Sequence, residues 1–174
     1  AIINISLGPA IMSISTEILI IADSSAAPEF LAADLMSQAE HDPMASAVLI
    51  TPDARLAQLT TAALQRQLAG LSRREIIEKS LEEYGAVIVC EDMDEAVEFA
   101  NELAPEHLEV CCDNPFEYLG RLDNAGSVFL GHYSPEPLGD YFAGANHVLP
   151  TGGTARFFSP LSVDDFIKKS SFIY

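Results

Sequence analysis

The chain has 174 residues, of which 49% are hydrophobic and 20% are charged, a length and composition that suit one soluble domain with a core large enough to fold alone. Its formal net charge is −17, with 9 Lys and Arg against 26 Asp and Glu, so it repels phosphate backbones and anionic lipids. The composition therefore argues against nucleic acid and membranes as partners, and every apolar run is far below the roughly 20 residues needed to span a bilayer.

Predicted strands alternate with predicted helices from residue 17 onward. Short apolar runs predict buried strands at residues 17–22, 47–51, 85–90, 108–112 and 126–130. Between them, apolar residues recur at helical spacing and predict helices at residues 28–41, 53–69, 72–84 and 92–103. Ser72 and Glu75 fit the capping-box pattern at the start of the third helix. A further short helix is predicted after Asn114-Pro115.

Continuously apolar strands that alternate with helices are typical of a parallel sheet covered on both faces. We therefore predict an α/β fold with three layers, Rossmann-like or flavodoxin-like, and a mostly parallel sheet of about five strands. Residues 131–162 are rich in Gly, Pro, Ser and Thr and predict a long loop, followed by a short helix at residues 163–169 with Ser162 as its cap. Residues 16–174 form the predicted domain, and residues 1–15 are unassigned.

The three cysteines, Cys90, Cys111 and Cys112, lie in or beside predicted strands. Their apolar surroundings predict reduced thiols and hence a cytoplasmic protein. They lack the CxxC spacing of a cysteine-ligated zinc site.

Three of the four histidines lie in compact polar motifs, which predicts a metal and proton-transfer site and hence an enzyme. Gln38 and His41 are three residues apart and share a helix face, so both could point at one cation, although an exposed helix end has the same composition. Glu106 and His107 follow a helix-ending proline and supply two groups that move protons near neutral pH, although such a pair is also common at surface turns.

Asp140 and His147 lie in the long Gly/Pro-rich loop, where side chains are available to ligands, although a flexible surface loop has the same composition. No GxGxxG dinucleotide fingerprint occurs in the sequence.

Taken together, six segments resemble histidinol dehydrogenase, and the resemblance covers residues 16–174. The segments are residues 15–23, 32–41, 103–108, 125–131, 139–150 and 153–162. Members of that family oxidise L-histidinol through L-histidinal to L-histidine, with NAD and one zinc ion, as homodimers. The resemblance implies Glu106 and His107 as the catalytic acid/base pair, and Gln38, His41 and Asp140 as zinc ligands. It also implies substrate contacts from Thr16, Gln38, His41, His107, Asp140 and His147.

The resemblance also implies a longer enzyme, with an NAD-binding domain inserted before the first strand and a C-terminal tail that adds a histidine ligand across the dimer. Residues 1–14 differ from the family pattern, and Thr16 replaces a serine. We therefore expect one domain of the enzyme, with weak zinc binding and negligible NAD-dependent oxidation by the 174-residue chain alone. The alternatives are a non-catalytic folded scaffold or assembly module and, less favoured, a zinc hydrolase that uses Glu106 as its base.

Overall fold

A computed structural model describes residues 16–174, in which strands and helices alternate along the chain. The strands are β1 (Glu17–Ala22), β2 (Ser46–Thr51), β3 (Gly85–Val89), β4 (His107–Cys111) and β5 (Ser127–Leu130). The helices are α1 (Pro28–Ala39), α2 (Ala54–Leu68), α3 (Arg74–Tyr84), α4 (Met93–Leu103), α5 (Phe116–Leu119) and α6 (Glu136–Tyr141). Single 3₁₀ turns follow at Thr154–Arg156 and Val163–Phe166.

The five strands form one sheet in the order β3-β2-β1-β4-β5, and every neighbouring pair is parallel. The predicted α/β class and five-stranded parallel sheet are confirmed. The order is the 3-2-1-4-5 arrangement of the Rossmann fold rather than the 2-1-3-4-5 order of flavodoxin. After β3 the chain therefore crosses to the far side of β1, and β4 pairs with β1.

Helices cover both faces of the sheet and bury two apolar clusters. One cluster joins α1, α2 and α3 to one face, through Ile18, Ile20, Leu31, Leu35, Leu49, Leu56 and Ile77. The other joins α4 to the opposite face, through Leu19, Ile21, Val48, Ile50, Val97, Leu108 and Val110. Because side chains alternate along a strand, His107, Glu109 and Cys111 of β4 all face the α1 layer.

Three local predictions differ from the structure. Helix α3 begins at Arg74, after Arg73 and with no side-chain cap, so the predicted capping box at Ser72 is wrong. The predicted loop contains the short helix α6, whose start is held by a hydrogen bond to β4 that sequence periodicity cannot show. The last predicted helix is one 3₁₀ turn, Val163–Phe166, with Ser162 as the predicted cap.

Residues 1–15, which the sequence left unassigned, lie outside the described residues. Within residues 16–174, no helix combines the length and the apolar character that crossing a membrane requires.

Candidate functional site

The amino ends of three adjacent strands bring the first candidate residues together. In the sheet register Ile18 lies opposite His107, and His107 lies opposite Ser127. Glu17 and Glu106 therefore stand side by side where β1 and β4 begin. The cluster therefore lies at the amino edge of the sheet. Open α/β sheets usually bind their ligands at the other edge, beside the carboxyl ends of the strands.

Helix α1 carries Gln38 and His41 to the same edge, because a helix that connects two parallel strands runs back to the edge where they begin. The Gln38 side chain is buried, and the backbone N–H of His41, just beyond the helix, donates to the carbonyl oxygen of Gln38 at 3.1 Å. His41 itself is exposed. Burial is the main cause of the lowered pKa of His107, and the imidazole of His41 adds a small contribution in the same direction. The assignment of Gln38 and His41 as zinc ligands stays a prediction.

Helix α6 places Asp140 beside His107. Gly139 lets α6 pack closely against Phe129 of β5, since a Cβ atom at this position would lie 2.4 Å from Cε1 of that ring. Oδ1 of Asp140 lies 3.9 Å from Nε2 of His107, and Oδ2 lies 2.5 Å from Nδ1 of His147. The Asp140 side chain is only 8% exposed, whereas that of His147 is 66% exposed. The structure thus brings four of the predicted site residues, Glu106, His107, Asp140 and His147, into one cluster.

The hydrogen bond of His107 fixes which ring nitrogen carries the proton. Nδ1 lies 3.1 Å from the carbonyl oxygen of Glu17, and a carbonyl oxygen only accepts, so Nδ1–H is the donor. Nε2 of the neutral ring then carries a lone pair. That atom is buried and has no hydrogen-bond partner in the described part of the chain. The basic nitrogen of His107, Nε2, therefore faces Asp140.

The Glu106 carboxyl is buried and titrates near neutral pH. Burial raises its pKa to about 7; a hydrogen bond from the Glu17 N–H opposes the rise, and the negative charges of Glu17 and Asp140 add to it. Oε2 of Glu106 lies 3.2 Å from the Glu17 nitrogen and 3.8 Å from Nδ1 of His107. A carboxyl with this pKa can both release and take up protons near pH 7.

The pKa values of His107 and Asp140 move in directions that suit a base and an anionic ligand. Burial lowers the pKa of His107, which keeps the imidazole neutral near pH 7, although the Glu17 carbonyl and Asp140 oppose this. Burial alone would raise the pKa of Asp140, but hydrogen bonds from Glu136 and His147 outweigh it and lower that pKa. Asp140 is therefore ionised beside the lone pair of His107.

These groups also have the composition of a metal site. His107, Asp140 and His147 offer ligand atoms that all lie within 4.8 Å of one another. Thr16 adds a buried hydroxyl oxygen, Oγ1, with no hydrogen-bond partner among the described residues. A buried polar atom without a partner is costly, so both this hydroxyl and Nε2 of His107 are suited to a bound ligand.

Three buried carboxyls that support the cluster were not predicted from the sequence. Glu17 accepts hydrogen bonds from the backbone N–H groups of Glu106 and Gly152, and Glu109 accepts one from Glu136. Glu136 in turn hydrogen-bonds to Asp140. A signal existed for Glu17 and Glu109, because each is an ionisable residue in an otherwise apolar strand and such residues need a buried partner.

The family model described as "Histidinol dehydrogenase" matches residues 4–174. The histidinol dehydrogenase of Carboxydothermus hydrogenoformans is 60% identical over 159 residues, which are 91% of this chain and 37% of the relative. That of Geobacter metallireducens is 59% identical, over 91% of this chain and 36% of the relative.

The crystal structure of histidinol dehydrogenase from Elizabethkingia anophelis superposes with a TM-score of 0.87 at 44% identity and covers 90% of this chain and 36% of that one. The chain therefore spans a little over a third of the length of these relatives. Because the family model matches almost all of it, the chain belongs to the histidinol dehydrogenase family.

Proposed function

We propose that this chain supplies the acid/base pair and the zinc ligands of an NAD-linked histidinol dehydrogenase. The proposed reaction is the oxidation of L-histidinol through L-histidinal to L-histidine. The observation that carries the proposal is the cluster of Glu106, His107, Asp140 and His147 at one edge of the sheet, in a chain of this family.

The donor set fits a zinc ion. Zinc prefers imidazole nitrogens and carboxylate oxygens as ligands, and hydrogen bonds that lower the pKa of Asp140 keep its carboxylate ionised. We propose Gln38, His41 and Asp140 as the ligands from this chain. When bound, zinc would supply a positive charge that attracts the nitrogen atoms of the substrate and fixes the alcohol near the base. NAD would accept the hydride, and we assign no residue of this chain to it.

His107 is the proposed base of the first oxidation. Its Nε2 lone pair is free because Nδ1–H donates to Glu17. Nε2 takes the hydroxyl proton of L-histidinol while the carbon-bound hydrogen leaves as hydride, and the C–O bond becomes the carbonyl of the aldehyde. The hydroxyl of Thr16 and the imidazole of His147 are proposed to contact the substrate.

Glu106 is the proposed base of the second oxidation. With a pKa of about 7, a substantial fraction of its carboxyl is ionised near neutral pH. The carboxylate takes a proton from a water molecule as the water oxygen adds to the aldehyde carbon, and the carbonyl oxygen takes back the proton that Nε2 of His107 gained in the first step, which gives the hydrate. In the second oxidation the carbon-bound hydrogen of the hydrate would leave as hydride for a second NAD while Nε2 of His107 takes a hydroxyl proton, which yields the acid.

Zinc titration of the 174-residue chain tests the metal site. We expect binding that falls at least tenfold in affinity in His41→Ala and in Asp140→Ala, because each removes one ligand. Asp53→Ala is the control, because Asp53 is a carboxylate that caps α2 at the opposite edge of the sheet. Equal zinc affinity in all four proteins would contradict the proposed ligands and favour the non-catalytic scaffold.

A chimera tests the reaction. This chain would replace the matching segment of the Carboxydothermus hydrogenoformans relative, with which it shares 60% identity. We expect NADH formation from L-histidinol by the chimera, a loss of at least a hundredfold in His107→Ala, and negligible formation by the 174-residue chain alone. A folded but inactive chimera would refute the proposed activity.

We also propose a homodimer and a cytoplasmic location for the whole protein. The homodimer rests on the family resemblance. The location rests on Cys90, Cys111 and Cys112, all of which are free thiols.

A further inference from the structure

Glu17 contacts both members of the acid/base pair through its backbone. Its N–H donates to Oε2 of Glu106 at 3.2 Å, and its carbonyl oxygen accepts from Nδ1 of His107 at 3.1 Å. The first contact holds the Glu106 carboxyl in one orientation. The second fixes the tautomer of His107. Any residue except proline at position 17 could make these two contacts, provided that the backbone stays in place.

The Glu17 side chain makes two more hydrogen bonds that do depend on its identity. Oε2 accepts from the backbone N–H of Glu106 at 3.3 Å, and Oε1 accepts from that of Gly152 at 2.8 Å. Glu17 and Glu106 therefore form a reciprocal pair, in which each carboxylate receives the backbone N–H of the other residue. The same carboxylate ties the turn at Gly152, which follows His147 in sequence, to the start of β1.

Sheet packing alone does not account for a carboxylate at this position. The other five residues of β1 are apolar and buried, and Glu17 is itself only 8% exposed. A buried carboxylate is unfavourable unless it is hydrogen-bonded, and the N–H groups of Glu106 and Gly152 meet that need. The N–H of Glu106 stands one residue before the β1–β4 ladder begins, where no strand partner is available to it.

We propose that Glu17 is a positioning residue for the Glu106–His107 pair. Its carboxylate fixes the Glu106 backbone and the Gly152 turn. The Glu106 carboxyl and Nε2 of His107 therefore keep one orientation at the amino edge of the sheet. This role rests on the proposed function, but its geometric part is measurable without metal, substrate or cofactor.

Backbone hydrogen exchange of the 174-residue chain tests the geometric part. We compare Glu106 and Gly152 with Ile20, a fully buried residue of β1 that reports global opening. In Glu17→Ala the protection of Glu106 and Gly152 should fall about tenfold or more beyond any change at Ile20, because both N–H groups lose their acceptor. In Glu17→Gln one oxygen remains, so only one of the two amides should lose protection.

The tautomer of His107 gives a second readout that a purely structural role would not move. Nitrogen shifts should show Nδ1–H alone in the parent and in Asp53→Asn, which neutralises a carboxylate bonded to a backbone N–H at the opposite edge. In Glu17→Ala and Glu17→Gln, signals from both tautomers should appear. The proposal is overturned if Glu106, Gly152 and Ile20 lose protection equally, or if exchange and tautomer are unchanged in both variants.

Activity separates this proposal from the proposed function. In the active chimera, Glu17→Gln should lower kcat about tenfold and leave KM within about twofold, since Glu17 itself is not one of the proposed substrate contacts. A parent chimera without activity would refute the proposed function, whereas the exchange data would still decide the geometric role. An active chimera with unchanged kcat in Glu17→Gln would refute the positioning role.

Discussion

The backbone N–H of Glu136 donates to Oε1 of Glu109 at 2.8 Å, and both residues are almost completely buried. Glu109 lies in the middle of β4, and Glu136 is the first residue of α6. Because Asp140 follows Glu136 by four residues on the same helix, this bond anchors the start of the helix that carries the Asp140 carboxylate next to His107.

Removing the acceptor at Glu109 should destabilise the domain. Glu109→Ala leaves the Glu136 N–H buried without a partner, and we expect a loss of about 1–3 kcal/mol in the free energy of unfolding. Glu109→Gln keeps an acceptor oxygen and should cost less. Urea denaturation at pH 6 measures both variants, and equal stability of Glu109→Ala and the parent would show that the bond contributes nothing.

Stability should fall as pH rises from about 4.5 to 8. Burial, with the charge of Asp34 adding to it, raises the pKa of Glu109 well above its usual value. Burial also raises the pKa of Asp34 to about 6 and that of Glu136 to about 8. The folded chain thus keeps protons that the unfolded chain releases, which weakens folding as pH rises, by up to about 1.4 kcal/mol per pH unit for each proton retained.

The matched comparison for this pH dependence is Glu109→Gln, which removes one of the titrating groups. Urea denaturation from pH 5 to pH 8, at constant ionic strength and with a chelator, should give a shallower slope for the variant than for the parent. Parallel curves would mean that the buried carboxyls do not retain protons.

A methyl group at Gly139 should disturb the position of Asp140. The added Cβ would lie 2.4 Å from Cε1 of Phe129, so the ring or α6 must move. For Gly139→Ala we expect a loss of about 1–3 kcal/mol in stability and weaker zinc binding. Gly120→Ala is the control, because a Cβ there meets no atom within 4 Å. If both variants match the parent in urea denaturation and zinc titration, the close contact does not constrain α6.

Two buried threonines allow a test of which hydroxyl contacts a bound substrate. Oγ1 of Thr16 and Oγ1 of Thr60 are both buried and have no hydrogen-bond partner within residues 16–174. Thr16→Val and Thr60→Val should therefore each leave stability unchanged or slightly raised. Only Thr16→Val should weaken the binding of L-histidinol to the zinc-loaded chain, by about 2- to 10-fold in calorimetric titration. Equal effects of the two variants on binding would remove Thr16 from the proposed substrate contacts.

The Glu106 carboxyl should titrate close to neutral pH. With carbon-13 labelling, we expect one glutamate side-chain resonance with a midpoint near the pKa of about 7, and its disappearance in Glu106→Gln. The exposed Glu29, whose pKa is lowered by hydrogen bonds from Gln67 and Arg66, provides an internal comparison within the same spectrum. A midpoint below pH 5 for Glu106 would remove it as a base that operates near neutral pH.

Much of the fold could be predicted because its signals are local. A strand buried on both faces needs a continuous apolar run, and the runs at 17–22, 47–51 and 126–130 match β1, β2 and β5 within a residue or so. The prediction of a capping box at Ser72 was wrong because a helix cap depends on the backbone conformation of a single residue. Helix α6 was missed because Glu136 begins it through a bond to Glu109, 27 residues away in sequence.

The sequence by itself determined the alternation of strands and helices and, through its resemblance to a family, the residues proposed for chemistry. Only the tertiary structure decided that β4 pairs with β1, that the cluster lies at the amino edge, and that Nδ1 of His107 carries the proton. The physical reason is the separation in sequence over which each kind of interaction acts. Periodicity acts over a few neighbouring residues, whereas the Glu17–Glu106 and Glu17–Gly152 contacts join positions 89 and 135 residues apart.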